Sequence, residues 1–279
     1  MRLFETRPGD DGLPGPERAL AVLALVTGTL MAVVDTTMIN LALPTIAADL
    51  NVSASRAVWI TNLFQVVCAA FLLVFAGISE LITRRRLYLF GLATFVAAAL
   101  GAALSRNLET LLVFRAFQGL GAAATLSIGP SLYRAIFPSR LLGSALGLSA
   151  LVVAGGYAAG PTLSGVILSF ADWPWLFALN VPLGLCSLWL AKRALPREEP
   201  RKGSFDVAGA LLSIVMLASF FIAMDAVSHA APIWQSGGWA LLTVLACAGF
   251  IARQRRAPYP LLPLSVFAEP RFTLAVSAS

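Results

Sequence analysis

The chain has 279 residues, of which 58% are hydrophobic and 12% charged, and it carries a net charge of +6 at neutral pH. Soluble domains average roughly 45–50% and about 25%, so this is the composition of a membrane protein and a water-soluble domain is excluded. The positive balance does not indicate nucleic acid. A nucleic-acid module sets a basic patch beside a soluble core, whereas here the bases lie in short runs between apolar stretches.

Residues 1–18 are polar, rich in Gly and Pro, and read as a disordered cytoplasmic tail. The apolar run after them is too long for the h-region of a signal peptide and reads as an uncleaved first helix. A bilayer core of ~30 Å needs about 20 apolar residues at ~1.5 Å rise. On that ruler eight spans follow, at 20–41, 57–79, 87–104, 109–130, 141–169, 175–191, 206–226 and 238–252, and Phe272 to Ser279 reads as the start of a ninth. The expected fold is all-α and integral to the membrane. It consists of a tail (1–18), an amino-terminal six-helix bundle (19–191), a cytoplasmic linker (192–205), an additional helix pair (206–252), and a second linker (253–279) leading into the incomplete ninth helix.

Cytoplasmic loops carry an excess of Lys and Arg. Here 17 of the 20 basic residues fall on one side of the predicted spans, the other side has only Arg56 and Arg106, and Arg115 lies within a span. The amino terminus is therefore expected in the cytoplasm.

Within the first span the single charge is Asp35, in Val34-Asp35-Thr36-Thr37, with Asn40 and Pro44 following. Either it reaches the interface from near the helix end, or it is a functional group, the default reading of an ionisable residue inside a span. Asn62 and Gln65 in the second span read as interhelical hydrogen bonds. After that span comes Glu80-Leu-Ile-Thr83-Arg84-Arg85-Arg86. The arginines serve topology, and the acid before them offers a pairing that holds two helix ends in one conformation.

The fourth span holds Arg115, a guanidinium in an otherwise apolar segment, with Gln118 close by. An arginine inside a span costs at least ~3 kcal/mol on insertion scales, so it faces a bundle interior or a wet cavity and finds partners there. Counting ~1.5 Å per residue, Asp35 lies ~22 Å above Leu20, and Arg115 lies ~9 Å below Glu109, or ~21 Å from the inner face of a ~30 Å core. The two charges share a depth at which they can pair or share a cavity.

The fifth span is written in small residues, and spacings of four put Gly156, Gly160 and Ser164 on one face, beside Gly165. Such a face lets helix backbones approach closely, and Pro161 is expected to kink the helix. Cys68, Cys186 and Cys247 lie in apolar segments without metal-ligand spacing and read as small buried hydrophobes. His229 has no ligand companions, Asp225 near the end of the seventh span is expected to face water, and no catalytic constellation marks an enzyme.

Four stretches together resemble the major facilitator superfamily, in its fourteen-helix drug:proton antiporter branch. Val34-Asp35-Thr36-Thr37 through Pro44 is similar to the first-helix motif, and Arg115-Ala-Phe-Gln118-Gly119-Leu-Gly121 to the fourth-helix motif. Gly156-Tyr-Ala-Ala-Gly160-Pro161-Thr-Leu-Ser164-Gly165 resembles the fifth-helix antiporter motif, with Ser164 in place of a glycine. Trp173-Pro-Trp175-Leu-Phe-Ala-Leu-Asn180-Val-Pro182-Leu-Gly184 resembles the signature leading into helix six. The loop after helix two departs from the family's Gly-x-x-x-Asp-Arg-x-Gly-Arg-Arg, with Ala76, Glu80, Leu81, Thr83, Arg84 and Arg85 at the matching positions.

The resemblance implies a proton-coupled multidrug efflux antiporter of the bacterial inner membrane, exporting lipophilic, cationic compounds such as quaternary ammonium ions. It implies that Arg115 biases the protonation of a neighbouring carboxylate, Asp35, with Gln118 nearby. Glu80, Arg84, Arg85, Gly156, Gly160, Pro161, Ser164 and Gly165 would then govern conformation. The partners implied are the drug or cation, protons and membrane lipid; no cofactor or nucleic acid is called for, and a periplasmic adaptor is left open. Family members hold two six-helix bundles, so a truncated frame or partial gene is the expectation for this length. The rival expectation is a non-transporting membrane fragment, or a half-transporter needing a partner.

Overall fold

The computed structural model describes residues 2–258, except 198, 201, 202 and 230, together with 261 and 262. The expected start of a ninth helix lies outside the described residues, as does the side chain of Glu80. Lipid offers backbone groups no hydrogen-bond partners, so a lone spanning segment must satisfy them internally, as a helix. Eight helical segments among the described residues are long and apolar enough to span a membrane.

The first span is a single helix, α1 (Gly15–Asp49). The second is α2 (Ala54–Ala57) and α3 (Trp59–Ile82), the third α4 (Arg84–Ala103), and the fourth α5 (Leu108–Leu126) with α6 (Gly129–Ile136). The fifth is α7 (Leu142–Leu168) and the sixth α8 (Pro174–Ala178) with α9 (Asn180–Ala194). The additional pair is α10 (Val207–Ser228) and α11 (Ile233–Arg256). Side-chain caps begin three of these helices: Thr83 accepts from Arg86 N–H at 3.3 Å, Asn107 from Thr110 N–H at 2.9 Å and Asp206 from Gly209 N–H at 3.1 Å.

Helix α1 packs on α7 and α9, α5 packs on α3 and α4, and α4 closes onto α9. This buries one apolar cluster around Leu25, Phe95 and Phe137 and a second around Ile39, Ile60 and Phe177. The expected spans are thus present with displaced ends. The fourth continues past a break at Ser127–Ile128, because Pro130 needs no N–H partner in the first turn of α6. The eighth begins at Ile233 rather than 238, with Gly237 and Gly238 inside it. Helix α7 runs unbroken through Pro161. Of the cysteines expected to be buried, Cys186 is exposed and Cys68 and Cys247 are half-buried.

The disordered tail expected for residues 1–18 is the clearest correction. Helix α1 already begins at Gly15, and the residues before it fold back as a strap over its end. The fully buried Arg18 holds the strap, donating from Nε and Nη2 to the Leu13 carbonyl at 3.1 and 2.8 Å and from Nη1 to the Leu3 carbonyl at 2.9 Å. Asp11 accepts from the Ser139 hydroxyl at 2.6 Å, and Asp10 pairs with Arg140 at 2.7 Å. Polar composition alone reads as disorder because these partners lie far along the chain.

The strap has a pH signature. The Arg140 guanidinium, and then the Arg7 N–H, hold the Asp10 carboxyl down from 3.8 to about 2, and the Ser139 hydroxyl and N–H lower that of Asp11. A carboxyl depressed by folding stabilises the docked form above its unfolded value, and that stabilisation is lost as pH falls through the folded value. Cleavage by pepsin within residues 2–12, relative to its cleavage of an unstructured peptide at the same pH, should therefore be slow at pH 4 and much faster near pH 2, an Asp10→Asn chain losing the contrast.

The helix pair is attached to the bundle through α10, which lies along α3. At one end Asn62 of α3 donates to Asp225 at 3.1 Å, so Asp225 is an interhelical partner and not simply water-facing. At the other, Gly77 of α3 lies against Phe205 and Leu261, which flank the pair in sequence. Gln65, also read as an interhelical group, is exposed.

Candidate functional site

A fully buried charged cluster lies where α1, α3, α5 and α9 meet. Helix α5 comes close enough to its neighbours to place Arg115 there because two glycines face them: Gly119 lies against the α3 backbone at Phe64, and Gly121 against the α4 backbone at Gly91 and Phe95. A methyl group at either position would press on backbone, which cannot yield as a side chain can.

Arg115 and Asp35 are both fully buried and form an ion pair, Nη1 to Oδ2, at 2.6 Å. The guanidinium also donates from Nη1 to Gln118 Oε1 at 2.9 Å and from Nε to the Ile60 carbonyl at 2.9 Å. Its carbon lies 4.3 Å from the centroid of the Phe64 ring and 5.7 Å from that of Phe177. A desolvated cation over an aromatic face gains on the order of 2 kcal/mol. Nη2 is buried without a hydrogen-bond partner.

The other oxygen of Asp35 accepts from Asn180 Nδ2 at 2.7 Å and from Gln118 Nε2 at 3.4 Å. Asp35, Arg115 and Gln118 thus form a closed ring of hydrogen bonds, and Asn180 joins it from α9. The structure brings together three residues singled out in the sequence and adds a fourth that had been noted only within a signature. Depth was the available signal: Asn180 lies ~9 Å from Pro174 and Arg115 ~9 Å from Glu109 at ~1.5 Å per residue.

The small-residue face of α7 meets α1. Gly156 lies against Val33 and Gly160 against Thr37, while the Ser164 hydroxyl donates to the Met38 carbonyl at 3.0 Å. These residues therefore fasten α7 to the helix that carries Asp35. Gly165 and Pro161 are on the exposed side, and nothing lies within 4 Å of a methyl built at Gly165, so neither belongs to this seam.

The turn between α3 and α4 is a single residue, Thr83, at φ 76° and ψ 140°. This conformation suits glycine, the residue the resemblance leads one to expect there, and strains a β-branched side chain. The Thr83 hydroxyl compensates in part by accepting from Arg86 N–H at 3.3 Å. The arginines after it tie the turn to other spans: Arg84 Nη1 donates to the Ser131 carbonyl of α6 at 3.1 Å, and Arg85 Nη2 to the Lys192 carbonyl of α9 at 2.6 Å. Strain of this kind is worth ~1–3 kcal/mol against a smaller entropic loss for glycine. Thr83→Gly is accordingly expected to stabilise the chain by about 1 kcal/mol, read as a raised unfolding midpoint in detergent.

Residues 25–277 match the Major Facilitator Superfamily. The uncharacterized transporter YebQ of Escherichia coli is 38% identical over 96% of this chain and 59% of its own length. The tetracenomycin C resistance and export protein of Streptomyces glaucescens is 33% identical over 92% of this chain and 47% of its own, and the methylenomycin A resistance protein of Streptomyces coelicolor 33% over 90% and 54%. The chain thus spans about half the length of the curated relatives it matches. With eight helices among the described residues long and apolar enough to span a membrane and a family match over most of its length, the chain belongs to the Major Facilitator Superfamily.

Proposed function

We propose that this chain provides the amino-terminal bundle and additional helix pair of a proton-coupled multidrug efflux antiporter of a bacterial inner membrane, which exports lipophilic, cationic compounds. The observation that carries this reading is the buried Asp35–Arg115 pair, with both carboxylate oxygens hydrogen-bonded. A paired charge at that depth is a natural proton carrier in a transport cycle. Its guanidinium, held by Ile60 and Gln118, stays protonated in a protein, so the carboxylate is the member of the pair that can change charge. The names of two relatives, proteins of tetracenomycin C resistance and export and of methylenomycin A resistance, support drug export. The cationic preference rests on the Trp173-Pro-Trp175 form of the helix-six signature, which resembles that of family members exporting methyl viologen and quaternary ammonium compounds.

In such a cycle Asp35 takes a proton from one side, and arrival of a cationic drug in the cavity returns it to the other. The seams that α1 makes with α7 and α9 carry the change in Asp35 to the bundle. The test is a reading frame that supplies both six-helix bundles, assayed in inverted vesicles with a pH-sensitive dye. Adding drug should release protons in the parent and release none after Asp35→Asn. Undiminished exchange in that variant would remove Asp35 from the mechanism.

A further inference from the structure

A buried acid that gains and loses a proton needs neighbours able to serve both forms. An arginine only donates, so it serves the carboxylate and offers nothing to the O–H of the acid, whereas a side-chain amide both donates and accepts. Two amides meet Asp35. That of Gln118 is engaged at both ends, its oxygen held by Arg115 Nη1 at 2.9 Å and its nitrogen turned to Asp35 at 3.4 Å. The amide of Asn180 is 2.7 Å from Asp35 Oδ1, and its one other bond is a long one of 3.4 Å to the Leu176 carbonyl.

Asn180 is also placed to turn. It is the first residue of α9, directly after the break at Leu179 that separates α8 from α9. Its terminal torsion is of the sp³–sp² kind, which is broad and not locked into staggered wells. Half a turn exchanges the donating nitrogen for the accepting oxygen with little displacement of other atoms.

We propose that Asn180 is the positioning residue that keeps Asp35 hydrogen-bonded in both protonation states, by reversing its amide when Asp35 takes up a proton. In the charged state Asn180 Nδ2 donates to Asp35 Oδ1. In the neutral state the proton sits on that oxygen, its O–H donates to Asn180 Oδ1, and the other carboxyl oxygen still accepts from Arg115. Among the described residues, no ionisable side chain other than Arg115 contacts Asp35 from the elements packed around it. The inference deepens the reading of Asp35 as proton carrier and rests on it.

Infrared difference spectroscopy against pH, on this chain in lipid nanodiscs, tests it without transport. Acidification should raise a carboxylic-acid carbonyl band that Asp35→Asn removes. Asn180→Leu should shift that band to higher wavenumber, because the acid loses its acceptor. A second measurement on the unsubstituted chain, with asparagine side chains labelled with ¹³C, guards against misfolding of the leucine variant. One amide carbonyl band should then move to lower wavenumber together with the acid band, and stay still in Asp35→Asn. A folded Asn180→Leu chain with the band unmoved, a labelled amide that ignores the protonation, or the lack of any Asp35 band at any pH the folded chain survives would each overturn the proposal. Proton release on drug addition, measured in the longer frame, tests the underlying reading separately.

Discussion

Replacing Asp35 by leucine should lower the stability of the chain by about 3–5 kcal/mol, the cost of leaving one buried charge without its partner. After that change Arg115 keeps the Ile60 carbonyl, Gln118 and the Phe64 face but loses the one negative group it touches. Nη2 already lacks a hydrogen-bond partner, so the variant would hold a guanidinium with most of its donors unanswered. The unfolding midpoint in detergent should drop by on the order of 10 °C. The double variant Asp35→Leu/Arg115→Met should recover most of that loss, because an apolar pair of similar volume needs no desolvation. If the double variant proves as unstable as the single, the loss belongs to packing and not to the stranded charge.

Gly160→Ala should be the most damaging methyl group that can be added to α7. It would overlap the Thr37 hydroxyl and press on the Thr37 Cβ, separating α7 from α1, and overpacking of that kind costs about 1–3 kcal/mol. Gly165→Ala, five residues on with open space around it, should fall within about 0.5 kcal/mol of the parent. Thr37→Ala removes the opposing hydroxyl but keeps the Cβ, so Gly160→Ala/Thr37→Ala should regain only part of the loss. Midpoints of the four chains form a double-mutant cycle whose coupling term isolates this contact.

The parts of this molecule legible in the sequence are those set by the membrane itself. A bilayer imposes one length on every crossing, so eight spans follow from counting apolar residues. The same ruler put Asp35 and Arg115 at one depth before any contact was visible. Helical periodicity separated Gly156, Gly160 and Ser164, which face α1, from most of the other small residues of α7, though Gly165 was grouped with them and does not belong.

Other features were hidden for equally physical reasons. The Ile60 carbonyl that holds Arg115 is backbone, and every residue has one. Asn180 reads as an ordinary amide until α9 is seen to place it against Asp35. The strap depends on Arg18, Ser139 and Arg140, so local polarity gave the wrong answer for residues that tertiary contacts order. The sequence departs from the family's glycine at the α3–α4 turn, yet Thr83 adopts a glycine-like conformation, which composition cannot reveal.

Helix α3 opens with two neighbours in the same turn that look in different directions. Ile60 offers its carbonyl to Arg115, and Asn62 offers its amide to Asp225 on α10. A single turn of backbone therefore bears the load of both attachments, one at the buried charge and one at the outlying helix pair. Linkage is reciprocal: any coupling through that turn by which a shift of α10 biases Arg115 acts with the same free energy from Arg115 on α10. The helix pair, though remote from the charged cluster, is thus joined to α3 two residues from the carbonyl that holds Arg115.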